Sequence, residues 1–347
     1  MLYNIFQPFS FKKTTIFSLT LTIIFAQLSL ISAPPPRCSV CGTAIKPGTK
    51  YFKADERTFC SRKCLDSYIE SKLPRCSACN KPVRGECFKK DGKIYCSKEC
   101  LSTTFPRCVV CGRHSPDGSY FNGDKRNFVC PACANGPRCC SCLLPCKDYT
   151  RLDDGRCLCT RCGQNAVFDS EDAEKVFQDI RNLMKKDLGI STDHRINFTL
   201  TDIGTLKSCS ENSSPGQEQG VFIFKTSIEN TVTNKGVVVK SVVKERVSSI
   251  MALYGLSRGK FIEVIAHELA HDWMQENYPD IQDLRVKEGW AEFIAAKVNV
   301  ILDNPDSNLR MEHNPDPVYG DGYRFFRGLY SKGGMRAVIN FLEKAGK

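Results

Sequence analysis

Sixteen cysteines arranged in four matching sets constrain this chain more than any other feature. Of its 21 cysteines, 20 lie between Cys38 and Cys162, and only Cys209 lies beyond. Four repeats each open with Pro-Arg-Cys-x-x-Cys and close with a second cysteine pair. The sets are Cys38, Cys41, Cys60 and Cys64; Cys76, Cys79, Cys96 and Cys100; Cys108, Cys111, Cys130 and Cys133; and Cys139, Cys142, Cys159 and Cys162. The gap between the two pairs is always 16 or 18 residues. Two residues between paired cysteines make a tight turn that aims both sulfurs at one metal ion, and this spacing is that of a structural Cys₄ zinc site. The segment between the pairs has room for a short hairpin, and the second pair opens a short helix. Residues 37–163 therefore read as four small fingers of treble-clef type, each built on one structural zinc.

The units are LIM-like rather than LIM modules. The sets are separated by 11, 7 and 5 residues, and no histidine stands at a ligand position. Cys87, Cys140, Cys146 and Cys157 fall outside the sets. Cys140 could replace Cys139 as a ligand, and Cys146 could pair with Cys157. A disulfide framework is the competing reading of the array, because an exported chain meets oxidising conditions. The odd cysteine total and the regular pairs favour metal. Net charge of +11 divides unevenly: residues 37–165 carry +12 and residues 166–347 carry −3. A basic array suggests nucleic acid. Sixteen thiolates around four divalent ions would reduce that +12 by eight, so no nucleic-acid partner is expected.

Residues 1–33 read as a secretory signal peptide. Lys12 and Lys13 precede an apolar stretch from Ile16 to Ile31, and Ser32-Ala33 offers small residues for cleavage. At 16 residues the stretch falls short of the roughly 20 a membrane span needs, so no stable span is expected after cleavage. An uncleaved membrane anchor is the alternative. Sixteen zinc thiolates fit an exported protein best if it acts in a reducing compartment, such as the cytosol of another cell.

The cysteine-poor remainder, residues 166–347, can build its own core. Asp169 or Ser170 can cap a helix to about Leu188, with Ala173, Val176, Phe177, Ile180, Leu183, Met184 and Leu188 on one face and Gly189 at its end. Ile196, Phe198 and Leu200 alternate as on a half-buried strand. Ser208–Gly220 reads as a polar loop and Val221–Phe224 as a strand. The run from Gly236 to Val247 is β-branched and precedes Phe261-Ile-Glu-Val-Ile-Ala-His-Glu-Leu-Ala-His-Asp-Trp273.

That last stretch contains His267-Glu268-Leu269-Ala270-His271. Four helical residues turn about 400°, so His267 and His271 project from one face and can reach one zinc. Glu268 is beside them, where a carboxylate can take a proton from a water on the metal. Catalytic zinc takes three protein ligands and keeps a position for water. Glu288, on a helix expected from about Leu284 to Ile301, supplies the third, with 16 residues between it and His271. Glu292, one turn on, could orient a ligand imidazole. Residues 303–322 read as a loop, followed by a core helix from Arg324 to Ala345. A donor to the developing oxyanion is expected near the metal, with Tyr319, Tyr323 and His313 as candidates.

Four ordered motifs carry a resemblance. They are Ile250-Met-Ala-Leu-Tyr-Gly-Leu-Ser-Arg-Gly259, Ile265-Ala-His-Glu-Leu-Ala-His271, Lys287-Glu-Gly289 and Val318-Tyr-Gly-Asp-Gly-Tyr-Arg324. Over residues 166–347 the chain resembles the DA-one peptidase family, whose plant members join LIM modules to an H-E-x-x-H peptidase domain, are activated by ubiquitin and limit organ growth. The resemblance implies a gluzincin-type zinc peptidase with His267, His271 and Glu288 as metal ligands and Glu268 as base. It also implies that a strand before the metal helix lines the cleft and offers an edge to a peptide; an internal strand is the other reading of that run. Ubiquitin-related regulation is implied by the resemblance alone. The expected class is α+β: an array of Cys₄ fingers followed by a zincin-like domain acting on protein or peptide substrates with one catalytic and about four structural zinc ions. A non-catalytic zinc-finger adaptor and, further off, a nucleic-acid-binding zinc protein are the alternatives.

Overall fold

A computed structural model of the chain describes residues 35–121, 123–209, 218–232, 238–304 and 307–346. The expected signal peptide, residues 1–33, lies outside the described residues. The chain divides into two compact units. One is Met1–Arg107 with His114–Pro116; the other is Cys108–Arg113 with Asp117–Lys347.

The first unit holds two fingers. In the first, β1 (Phe52–Ala54) pairs antiparallel with β2 (Arg57–Phe59) and α1 (Arg62–Lys72) follows. In the second, β3 (Phe88–Lys90) pairs with β4 (Lys93–Tyr95), followed by α2 (Lys98–Ser102). Both hairpins turn through two residues of positive φ, Asp55 and Glu56 in one, Asp91 and Gly92 in the other. Such turns match the right-handed twist of the strands. Both helices start at a serine N-cap: the Cys64 amide donates to Ser61 Oγ and the Cys100 amide to Ser97 Oγ, so the cap also fixes a ligand cysteine. Each finger has a core of only a few side chains, Phe59, Leu65 and Tyr68 in one, Val83, Tyr95 and Leu101 in the other. The repeated Pro-Arg opener has a local role. Arg37 and Arg75 donate to the carbonyls of Gly42 and Asn80, tying the opener to the far side of the cysteine turn.

The second unit opens with two more fingers: β5 (Ser119–Tyr120), β6 (Phe128–Val129) and α3 (Pro131–Ala134), then β7 (Tyr149–Arg151), β8 (Cys157–Cys159) and α4 (Thr160–Gly163). Its main body starts at β9 (Ala166–Val167) and α5 (Ser170–Leu183). The Asp172 amide donates to the N-cap Asp169, and Ala173, Val176, Phe177 and Ile180 are buried as expected. The last expected turn, Met184–Leu188, is a π-helix, closed by Gly189 in the left-handed region at φ 68°.

Next come β10 (Ile196–Thr201), α6 (Ile203–Cys209), β11 (Gly220–Val232), β12 (Val238–Leu253) and the two-residue β13 (Leu256–Ser257), which pairs with β9. The expected polar loop from Ser208 starts late, because Asp202 caps α6 through the Thr205 amide; residues 210–217 lie outside the described residues. The sheet order is β10-β12-β11, with β10 parallel and β11 antiparallel to β12. Of the Gly236–Val247 run, Gly236 and Val237 lie outside the described residues, and the rest is the first part of β12, paired on one side by β11. β10 joins only beyond the run, so β12 is paired on both sides over Ser248–Ala252 and on one side before it, and β11 is the outer strand on its side of the sheet.

Four helices complete the body: α7 (Arg258–Asn277), α8 (Leu284–Ile301), α9 (Asn308–Glu312) and α10 (Tyr319–Ala345), the last broken at Gly333 and Gly334. The expected loop at 303–322 therefore contains a short helix and the start of a long one. The glycines that read as loop are where backbones touch. A Cβ on Gly289 of α8 would come within 2.5 Å of Gly322 Cα, and one on Gly320 within 2.0 Å of the Asn314 carbonyl oxygen. The core joins Phe261, Ile265, Trp273, Trp290, Phe293 and Phe326, and the Trp290 indole donates to the Ala270 carbonyl at 3.1 Å. Each such side chain contributes about 1.5–3 kcal/mol through burial. Among the described residues no helix is long and apolar enough to cross a membrane.

Candidate metal centre

The four cysteine sets predicted from spacing come together in space. Within each, the four sulfurs lie within 4.8 Å of one another. Cys41 and Cys60 are 3.5 Å apart, Cys79 and Cys96 3.6 Å, Cys111 and Cys130 3.8 Å, and Cys142 and Cys159 4.0 Å. A tetrahedron of sulfurs about 2.3 Å from zinc has edges of about 3.8 Å, so each set is compatible with one structural zinc. Electrostatics point the same way. Burial opposes ionisation of Cys38, yet amides of Cys41, Cys60 and Val40 bring its thiol down to about 6. Cys60, facing Cys41 and Cys38, is pushed up to about 12. One thiolate makes the next harder to form, and a divalent cation at the centre removes that conflict.

Two of the open cysteine readings are settled against. Cys139, not Cys140, completes the fourth set. No disulfide joins Cys146 to Cys157: among the described residues every cysteine is a thiol, and Cys146 donates to the Pro137 carbonyl at 3.3 Å. Cys146 is buried by the finger's own core, which leaves its sulfur turned to that carbonyl.

A fifth cluster stands in the second unit. His267 and His271 extend from one face of α7, and Glu288 meets them from α8. His267 Nε2 is 3.2 Å from Glu288 Oε2 and 3.1 Å from His271 Nε2, and His271 Nε2 is 3.4 Å from Glu288 Oε2. Ligands about 2.05 Å from zinc have tetrahedral edges of about 3.3 Å. The donor set, two imidazoles and a carboxylate, therefore fits a zinc-sized divalent ion. The electrostatics of the group are those of paired opposite charges. Burial disfavours the imidazolium, but the bond to Glu288 and the charges of Glu268, Glu288 and Glu292 hold His267 up at about 9. Glu288 is likewise buried, yet His271 and His267 keep it well below the usual carboxylate range.

Glu268 is buried beside this cluster, and burial pushes its carboxyl up. Glu292 is also buried, and its nearest charged partner is Arg310 Nη2, 3.7 Å away. The three oxyanion candidates separate. Tyr319 stands at the start of α10 and is exposed; partial desolvation and then the negative charges of Glu288, Glu218, Glu268 and Glu292 raise its phenol. Tyr323 is packed in the core, where its charged neighbours beyond burial begin with Glu312 and Arg327. His313 Nδ1 lies 2.9 Å from the Leu309 carbonyl, and the His313 ring lies against Gly123. The contact of Gly289 with Gly322 brings the first turn of α10 against the first turns of α8, which carries Glu288.

Sequence reasoning missed two features. A buried charge network ties α7 to α9: Lys260 and Arg310 each lie 2.5 Å from Glu263 Oε1. Lys260 and Glu263 stand at helical i,i+3 spacing, which could have suggested the pair; Arg310 carries no such signal. The other is the approach of β11. A Cβ on Gly220 would come within 2.5 Å of Val264 Cγ1 and 2.8 Å of Glu268 Oε1, so the first residue of β11 lies against the catalytic-type motif and only glycine fits.

No protein-family model matches the chain. It is 24% identical to Protein DA1 of Arabidopsis thaliana over 82% of its own length and 64% of that protein's. Identity to Protein DA1-related 1 of the same plant is also 24%, over 82% of this chain and 63% of the relative. With the LIM domain-containing protein HDR3 of Oryza sativa subsp. japonica it is 28%, over 61% and 48%. The chain thus spans less than two-thirds of the length of these relatives. Its homologues are DA1, DA1-related proteins and a LIM domain-containing protein, and the resemblance of the chain is to the DA1-like family.

Proposed function

We propose that the chain is a zinc-dependent endopeptidase acting on protein substrates, with a zincin-like domain over residues 166–347 and Cys₄ fingers that recognise a partner or the substrate. The observation that carries this reading is the convergence of His267, His271 and Glu288 on one point with the Glu268 carboxylate buried beside them. A zinc ion held by those side chains would lower the pKa of a water to about 7 and polarise the scissile carbonyl. Glu268 takes the proton of the attacking water and passes it to the leaving amine; burial, which raises its pKa, suits a group that must both accept and release a proton. Tyr319, a phenol whose pKa partial desolvation and then the nearby carboxylate charges raise, is the donor to the developing oxyanion. The outer strand β11, which starts against Glu268, receives an extended peptide by backbone pairing.

The DA1-like resemblance supports the peptidase reading and is the sole basis for proposing ubiquitin-related regulation. Export, to act in another cell, belongs to the same proposal and rests on the sequence of residues 1–33. The test is Glu268→Gln. It keeps the shape and removes the proton acceptor, so cleavage of casein should fall by about 10²–10⁴-fold with zinc content unchanged. If the variant cleaves as fast as the wild type, Glu268 is not the base; if neither cleaves casein or a peptide library, the adaptor reading replaces this one.

A further inference from the structure

The fourth finger differs from the others in what its cysteine turn touches. In the first two fingers the residues between the first cysteine pair, Ser39 and Val40, Ser77 and Ala78, are exposed. In the fourth they are Cys140 and Ser141, and Ser141 is 2% exposed. Both residues grip the main body of the same unit. The Cys140 carbonyl accepts from Gln219 Nε2 at 2.5 Å. Ser141 Oγ donates to Ser257 Oγ at 2.9 Å and accepts from the Ser257 amide at 3.0 Å.

These two contacts land on the start of β11, which lies against Glu268, and on the start of α7, which carries His267 and His271. Gln219 immediately precedes β11, and its own carbonyl accepts from the Leu253 amide at 2.9 Å, the bond that closes the β11–β12 ladder. Gly220, the next residue, is the one pressed against Val264 and Glu268. Ser257 is the N-cap residue of α7, the helix that carries His267, Glu268 and His271. Its side chain makes no capping bond within the helix, so Ser141 holds the position from outside. The turn itself is fixed by the finger: the Cys140 amide donates to the Cys157 carbonyl at 2.7 Å, and the Cys159 amide to Cys139 Sγ at 3.4 Å. Further bonds repeat the grip. Arg156 donates to the Tyr254 carbonyl at 2.8 Å, and the Ile203 amide to Asp154 at 3.2 Å.

We propose that the Cys140-Ser141 turn of the fourth finger is part of the peptidase site: through Gln219 and Ser257 it sets the start of the substrate-pairing strand β11 and the N-terminus of α7 relative to Glu268. Gln219 and Ser141 are positioning residues, acting through Gly220 and Ser257 without touching substrate. This rests on the peptidase reading for its catalytic consequence, while its structural consequence is independent of it.

The experiment uses the full chain, reduced and zinc-loaded, with Gln219→Met, which keeps the length and removes the donor, and Ser141→Ala. Three readouts are taken: zinc content, hydrogen exchange at the Leu253 and Ser257 amides, and kcat and KM on a quenched-fluorescent peptide library. Zinc content should be unchanged in both variants. Exchange should rise about tenfold at Leu253 in Gln219→Met and at Ser257 in Ser141→Ala. KM should rise more than kcat falls in Gln219→Met, because β11 pairs with substrate, whereas Ser141→Ala should lower kcat. Ser77→Ala, at an exposed turn, should change none of these. Full zinc with unaltered exchange at both amides would overturn the proposal whether or not the chain cleaves peptides. Altered exchange with no cleavage by the wild type would keep the coupling and overturn the peptidase reading instead. If Gln219→Met fails to fold, Ser141→Ala alone decides through the Ser257 amide.

Discussion

The cysteine fingers and the His-Glu cluster are both groups of side chains that could hold a metal ion, and they are built in opposite ways. A finger draws its four ligands from about 25 consecutive residues and surrounds them with a few side chains such as Phe59, Leu65 and Tyr68. So small a core cannot offset the chain entropy of the finger, so the metal has to. The His-Glu cluster takes its ligands from two helices whose positions are set by one large core around Trp290, Phe261 and Phe326. There the fold comes first and the three ligands are held ready. A metal in a finger would make the structure, whereas at the His-Glu cluster the structure sets the three side chains in place by itself.

Chelation probes this contrast with the largest expected effect. Structural zinc in finger-type sites is worth roughly 10–16 kcal/mol of coupled folding and binding. A strong chelator under reducing conditions should therefore unfold the first two fingers while α7 and α8 keep their slow hydrogen exchange. Loss of protection in both regions together would break the distinction. Trp290→Ala is the converse experiment. Trp290 is fully buried between α7, α8 and α10, and truncation should cost about 3–5 kcal/mol in denaturant unfolding of the main body. Zinc in the first two fingers should stay bound. Release of that zinc at the same denaturant concentration would show that the fingers depend on the large core after all. A smaller effect sharpens the account of the surroundings. Glu292, buried near Arg310, should weaken metal affinity at the His-Glu cluster by about 10–100-fold when changed to alanine, measured by competition with a calibrated chelator, with activity returning in excess zinc. A Glu292→Ala site that stays empty in excess zinc would make Glu292 itself a ligand.

The same contrast explains what the sequence reveals. The cysteine sets, their hairpins and their short helices are legible because every ligand and turn residue lies within one repeat. The H-E-x-x-H pair is legible because helical spacing alone puts His267 and His271 on one face. Glu288 needs a second helix, yet α8 runs from Leu284 to Ile301 as its apolar pattern suggests, with Glu288 in its second turn. Non-local pairing hides the rest. The β-branched run ending at Val247 reads as a strand, but that β11 pairs with it and that β10 joins only from Ser248 on is a matter of register that sequence periodicity cannot rank. Gly320 and Gly322 resemble loop residues, while their lack of a side chain is what lets the start of α10 contact Asn314 and α8. The grip of the fourth finger joins Ser141 to Ser257 across 116 residues, through small polar side chains that follow no period.

Zinc stoichiometry separates a chain with five metal sites from one with four. His267, His271 and Glu288 stand as a fifth cluster apart from the four cysteine sets. Elemental analysis with free-thiol titration on the purified, reduced protein should give five zinc ions, one for each of the five clusters, and four in Glu288→Ala with the cysteine sites still loaded. The same zinc count in the wild type and Glu288→Ala, or a wild type with one zinc and its thiols tied in disulfides, would contradict the five-site count.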